Sequence, residues 1–61
     1  MSEDLPFKVV RVDAHDQFEV LAAAINVSMA RGAYDKAVRM YPNDNIQLRQ
    51  AALVIAHSKP A

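Results

Sequence analysis

With 61 residues, the chain hides on folding only about 60% of the surface its unfolded form exposes; with no cysteine and two separated histidines, neither a disulfide framework nor a metal cluster offsets that thin stability. Seven Lys and Arg balance seven Asp and Glu, so no long-range field recruits DNA, RNA or an anionic membrane, and nucleic acid is an unlikely partner on charge alone. The hydrophobic fraction of 52% exceeds what so small an interior can hide, which predicts an apolar surface that pairs with another.

In chain order, Met1 to Pro6 reads as a disordered tail. It is acidic, lacks the positive start and apolar stretch of a secretion signal, and ends on a proline that cannot continue a ladder. No run approaches the roughly 18 to 20 apolar residues of a membrane span, and a cytoplasmic location is expected for want of another address. Phe7 to Val12, rich in valine, reads as a strand with Phe7 and Val9 on one side and Val10 and Val12 on the other. Asp13-Ala14-His15-Asp16 reads as the turn after it.

The stretch from Gln17 to Ile25 fits two periods. Phe18, Val20, Ala22 and Ala24 alternate with Glu19, Leu21 and Ala23 as in a strand, while Phe18, Leu21, Ala22, Ile25 and Met29 also fit one helical face. Its alanines favour a helix. The acidic turn followed by alternation favours a hairpin, and that reading is preferred.

Val27, Ala30, Tyr34, Ala37, Val38 and Tyr41 recur at helical spacing, with Asn26 as N-cap and Pro42 as stop. Arg31, Asp35 and Arg39 fall at four-residue steps on the opposite face, where opposite charges can pair. Gly32 inside this helix costs near 1 kcal/mol relative to alanine, a tolerated imperfection or a place where another backbone comes close. After the turn Asn43-Asp44-Asn45, Ile46 and Leu48 alternate with Gln47 and Arg49, and Leu53-Val54-Ile55 completes a second hairpin. Ser58 to Ala61 reads as a second disordered tail.

The fold class is therefore α+β over residues 7–57, in the order ββαββ, with one helix on one face of a small antiparallel sheet. The alternative is a mainly helical chain with one N-terminal strand. The predicted core is Phe7 or Val10, Phe18, Val20, Val27, Ala30, Tyr34, Ala37, Val38, Leu48 and Val54.

The residues Ala30-Arg31-Gly32-Ala33-Tyr34, Met40-Tyr41-Pro42 and Ile46-Gln47-Leu48-Arg49-Gln50 resemble those of a family of short uncharacterised alphaproteobacterial proteins, over roughly residues 26–55. Relatives of this type tend to carry glycine where this chain has Ala51, which suits a tight hairpin turn. The resemblance implies no activity.

Chemistry-bearing groups are sparse. Asp13, His15 and Asp16 could offer a divalent metal three ligands, but a closed site needs a fourth. His57 and Ser58 supply a base and a hydroxyl, yet neighbours on a strand point to opposite faces. The single glycine excludes a glycine-rich phosphate loop in its usual form. Neither catalysis nor a cofactor is expected.

The leading expectation is a non-enzymatic protein-protein interaction module that forms a homodimer, with a further protein partner that the residues do not identify. Its candidate surface comprises Lys8, Val10, Val12, Leu21, Arg31, Lys36 and Arg39. The alternative is a small DNA-binding regulator of ribbon-helix-helix type, in which Gln17 to Ala30 is helical and Lys8 and Arg11 meet the DNA.

Overall fold

The computed structural model describes residues 5–15 and 17–59. The expected tails fall largely outside these residues, at 1–4 and 60–61, as does Asp16 of the first turn. The elements are β1 (Phe7–Val12), β2 (Phe18–Ala24), α1 (Val27–Met40), β3 (Asn45–Gln50) and β4 (Leu53–His57). The strands form one antiparallel sheet in the order β2-β1-β3-β4, with α1 on one face. This is the expected ββαββ architecture, and the mainly helical alternative is set aside. A ribbon-helix-helix arrangement needs a helix where β2 stands.

Two hairpins flank the helix. In the first, the Asp13 side chain accepts from the backbone N–H groups of His15 (2.8 Å) and Gln17 (3.1 Å), while the Asp13 N–H donates to the Gln17 carbonyl (3.1 Å). A side chain that satisfies the turn's own amides is what aspartate supplies in such loops. Asn26 caps α1 as expected, its side-chain oxygen accepting from the Met29 N–H at 2.9 Å. The Tyr41 N–H closes the helix onto the Ala37 carbonyl at 2.8 Å, ahead of Pro42. Gly32 faces open space, with nothing within 4 Å of where a Cβ would stand, so no neighbouring backbone in the fold requires it.

The core lies between α1 and one face of the sheet. It consists of Val9, Ala24, Ala30, Tyr34, Ala37, Ile46 and Leu48, with Phe7, Leu21, Ala22, Ala33, Val38, Tyr41 and Ala56 packed against it. Four residues expected inside lie outside the core: Phe18, Val20 and Val27 are 54%, 57% and 46% exposed, and Val54 pairs with Arg49 on the sheet face away from the helix. A β-bulge explains the first two. Val9 pairs with Ala22 and Val10 with Val20, so Leu21 is an extra residue in β2, and an extra residue inverts the alternation of everything beyond it. Ala22 and Ala24 therefore face the helix while Phe18 and Val20 face away. Val27 continues the helical stripe but sits on its first turn, where it remains half-exposed.

Arg11, on the helix side of β1, gathers four segments. Its guanidinium lies 2.7 Å from the Glu19 carboxylate, 3.5 Å from that of Asp44, and 5.1 Å from the centre of the Tyr41 ring. The ladder also runs one residue beyond β4. The Ser58 N–H donates to the Ile46 carbonyl (2.9 Å), and its hydroxyl accepts from the Ile46 N–H (2.9 Å) and donates to the Asp44 carbonyl (3.2 Å).

The second hairpin closes through Ala51 and Ala52, since Gln50 pairs with Leu53. Ala51 has φ 54°, in the left-handed region that costs an L-residue roughly 1–2 kcal/mol. The turn expected for glycine at this position thus forms with alanine in it. Ala51→Gly relieves that strain but enlarges the freedom of the unfolded chain, and is expected to stabilise by a net of about 0.5–1 kcal/mol. An upward shift of the urea midpoint at unchanged slope is the result to look for.

Tyr34 carries a pH signature. Burial, with Asp35 adding to it and Arg31 opposing, raises its hydroxyl above the ordinary tyrosine value. The phenolate is therefore disfavoured in the folded chain relative to the unfolded one. The stability this contributes is fully present below the unfolded value and is lost as pH rises through the raised folded one. Alkaline titration of stability is expected to fall more steeply in the wild type than in Tyr34→Phe.

Candidate interaction surface

The helix covers one sheet face, and strand register defines the other. In the β1/β3 pair, Lys8 stands opposite Arg49, Val10 opposite Gln47 and Val12 opposite Asn45. Each pair alternates with the core pair Val9 and Leu48 or with Arg11 and Ile46, and so points away from α1. β2 adds Phe18 beside Val12, Val20 beside Val10 and Ala23 beside Lys8. β4 adds Val54 beside Arg49 and His57 beside Gln47.

This uncovered face holds Lys8, Arg49 and His57, and among the described residues these pairings place no carboxylate on it. Like charges directly opposite one another, as Lys8 and Arg49 are, destabilise a sheet. Arg49 lies instead across the central strand. Its guanidinium carbon sits 4.3 Å from the centre of the Phe18 ring, although β1 separates their strands. Val10 lies on β1 between them, and that lid accounts for its 4% exposure on a face with no second layer. Such stacking over an aromatic ring contributes about 0.5–1 kcal/mol at an exposed site.

The same face holds an unsatisfied polar row. Asn45 Oδ1, Gln47 Oε1 and Arg49 Nε are shielded from solvent and have no hydrogen-bond partner. All three belong to alternate positions of β3. A buried polar atom without a partner costs about 1–3 kcal/mol, so this row is where the isolated fold is least content.

Of the seven residues expected to form the surface, Lys8, Val10 and Val12 lie together here. Leu21, the bulge residue, turns to the helix side and packs against the core. Arg31, Lys36 and Arg39 are exposed on α1, across the molecule from the open face, so the set forms two surfaces instead of one. No ion pair closes between Asp35 and its neighbours among the described residues; those present join Arg11 to Glu19 and Asp44. Sequence reasoning missed Phe18, Asn45, Gln47 and Arg49 as members of this surface. The alternation of β3 put Gln47 and Arg49 on one side, whereas Asn45 read as part of the preceding turn and instead begins the strand.

The remaining candidates are engaged elsewhere. Ser58 spends its hydroxyl on Ile46 and Asp44, and the His57 Nδ1 faces the Lys59 carbonyl at 2.5 Å, so base and hydroxyl do not meet. Asp13 works in its own turn, and the described residues contain no group of three or more metal-ligating side chains. A shallow groove of about 230 Å³ between α1 and β2 is lined by Leu21, Ala22, Ala33, Lys36, Ala37, Met40 and Tyr41, and another of about 450 Å³ by Leu5, Pro6, Lys8, Gln50 and Ala51; neither is lined by a carboxylate or a histidine.

Compared with protein-family models, curated proteins and solved structures, the chain matches none.

Proposed function

We propose that the chain is a small non-enzymatic interaction module that associates with itself, without a cofactor, in the cytoplasm. The observation that carries this reading is the open face: Phe18 and Val20 are more than half exposed beside Val10 and Val12, with no layer over them. A one-sided antiparallel sheet is stable when its outer face is polar. Here the β1–β2 half of the outer face is apolar but for Lys8, and a second layer would remove it from water at about 25 cal/mol per Å². No helix among the described residues is long and apolar enough to cross a membrane.

DNA binding finds less support. The net charge is zero, and of the two residues that reading needs, Lys8 lies on the open face while Arg11 faces the helix side and is held by Glu19 and Asp44. The test is mass in solution, by sedimentation equilibrium over a wide concentration range. A dimer mass at high micromolar concentration is expected. A monomer throughout would sink the proposal.

A further inference from the structure

We infer that the open face docks an acidic amphipathic helix of another protein, its apolar stripe on β1 and β2 and its carboxylates against Arg49 and Lys8. This rests on the open face being the surface through which the module interacts, and it goes beyond self-association by stating the chemistry of a further partner. Strand register lays the face out in two strips. Along β1 and β2 run Val12 beside Phe18 and Val10 beside Val20, ending at Lys8 beside Ala23. Along β3 and β4, Arg49 stands beside Val54 and Gln47 beside His57. Lys8 is opposite Arg49, whose guanidinium reaches back over the apolar strip to Phe18. The carboxylates among the described residues are elsewhere: Glu19 and Asp44 hold Arg11, Asp13 closes its own turn and Asp35 lies on α1. A purely apolar cover over Val10, Val20 and Phe18 would take Lys8 and Arg49 out of water uncompensated, which is costly. An arginine stacked on a ring can still bind a carboxylate through the donors on its edge, so a cover that brings carboxylates meets both strips at once.

The backbone of the face selects a helix as the occupant. Both edge strands carry a bulge, at Leu21 in β2 and at Ile55 in β4, which blunts the addition of a further strand. An extended segment laid flat on the face would leave its backbone groups unpaired, whereas a helix satisfies its own. The three levels of the apolar strip span about 13 Å at about 3.3 Å per residue, the length of roughly nine helical residues. The chain's own helix does not suit the place, because α1 turns Arg31, Lys36 and Arg39 outward against a single carboxylate, Asp35, and would set cations on cations. Single-stranded nucleic acid suits it less, since bases stack on successive aromatic rings and this strip offers Phe18 among valines.

The test selects from a library of helical peptides of about five turns on the immobilised full chain, with leucine fixed at i, i+3, i+4 and i+7 and the flanking positions varied among Glu, Gln and Lys. Enrichment of glutamate over lysine by about tenfold is expected. Lys8→Glu combined with Arg49→Glu is expected to invert the preference to lysine, a gain that misfolding cannot produce. Lys36→Glu, on the outer side of α1, is expected to leave it unchanged. The inference is overturned by a wild type that shows no preference for glutamate, by a Lys36→Glu variant that loses the preference as fully as the pair at positions 8 and 49, or by a single-stranded oligonucleotide that binds more tightly than the selected peptides. Sedimentation of the chain alone keeps the two readings apart. A monomer that selects acidic helices removes self-association and leaves this inference standing, and a dimer that selects none does the reverse.

Discussion

Leu48→Ala is expected to lower the unfolding free energy by about 2–5 kcal/mol, the range for emptying a closed core site. Leu48 is fully buried on β3, between β1 and β4, opposite Val9 on one side and Ala56 on the other, beneath the helix. Its neighbours cannot readily collapse into the space, because the strands on both sides are held by their ladders. Stability of about 0.05–0.15 kcal/mol per residue gives a chain of this length a total of roughly 3–9 kcal/mol, so the loss is a large part of the whole. Urea unfolding followed by the helix circular dichroism signal should show the native baseline shortened or gone. Val27→Ala is the comparison, since Val27 belonged to the core expected from helical spacing yet is 46% exposed. Its cost should stay near or below 1 kcal/mol. Equal losses at the two positions would mean that the core is not where the fold places it.

The contrast between Leu48 and Val27 shows what periodicity can convey. The order of elements was legible, including the strand at residues 18–24, where alanine content argued for a helix; the acidic turn and the hairpin it closes outweighed propensity. Inside β3 the alternation placed Leu48 in the core, because nothing interrupts its pairing with β1. Inside β2 the same rule failed. The bulge at Leu21 has no sequence marker, neither a glycine nor a proline, and one extra residue exchanged the faces of Phe18 and Val20 with those of Ala22 and Ala24. The candidate surface suffered in the same way. Period two put Lys8, Val10 and Val12 on one face of the sheet, as observed, and the bulge turns Leu21 to the other. The basic residues of α1 were added by their chemistry, although a helix that covers one face turns its polar side away from the other. The contact of Arg49 with Phe18 depends on a side chain crossing a whole strand, which no local pattern encodes.

Ala30→Leu is expected to destabilise by about 1–3 kcal/mol, the ordinary cost of forcing extra methylenes into a filled contact. Alanine and leucine have nearly equal helix propensity, so such a loss would report packing alone. The helix meets the sheet through small side chains: Ala30 and Ala37 are buried, at 1% and 6% exposure, and the strand beneath contributes Ala24 with Ala22 beside it. Tyr34 is the single large buried side chain that α1 supplies. Small residues at such a contact let the helix approach closely enough for Ile46, Leu48 and Val9 to reach full burial, and a leucine at position 30 must lift the helix or bend away. Ala33→Leu makes the matching test, because Ala33 lines the open groove beside Leu21 and Met40 and has room for the added atoms. Thermal unfolding of the two variants should therefore separate, with Ala30→Leu melting well below Ala33→Leu. If Ala30→Leu melts with the wild type, the helix does not rest on its alanines. The close approach that buries the sheet's inner face, and leaves only the outer one uncovered, would then have to be given up.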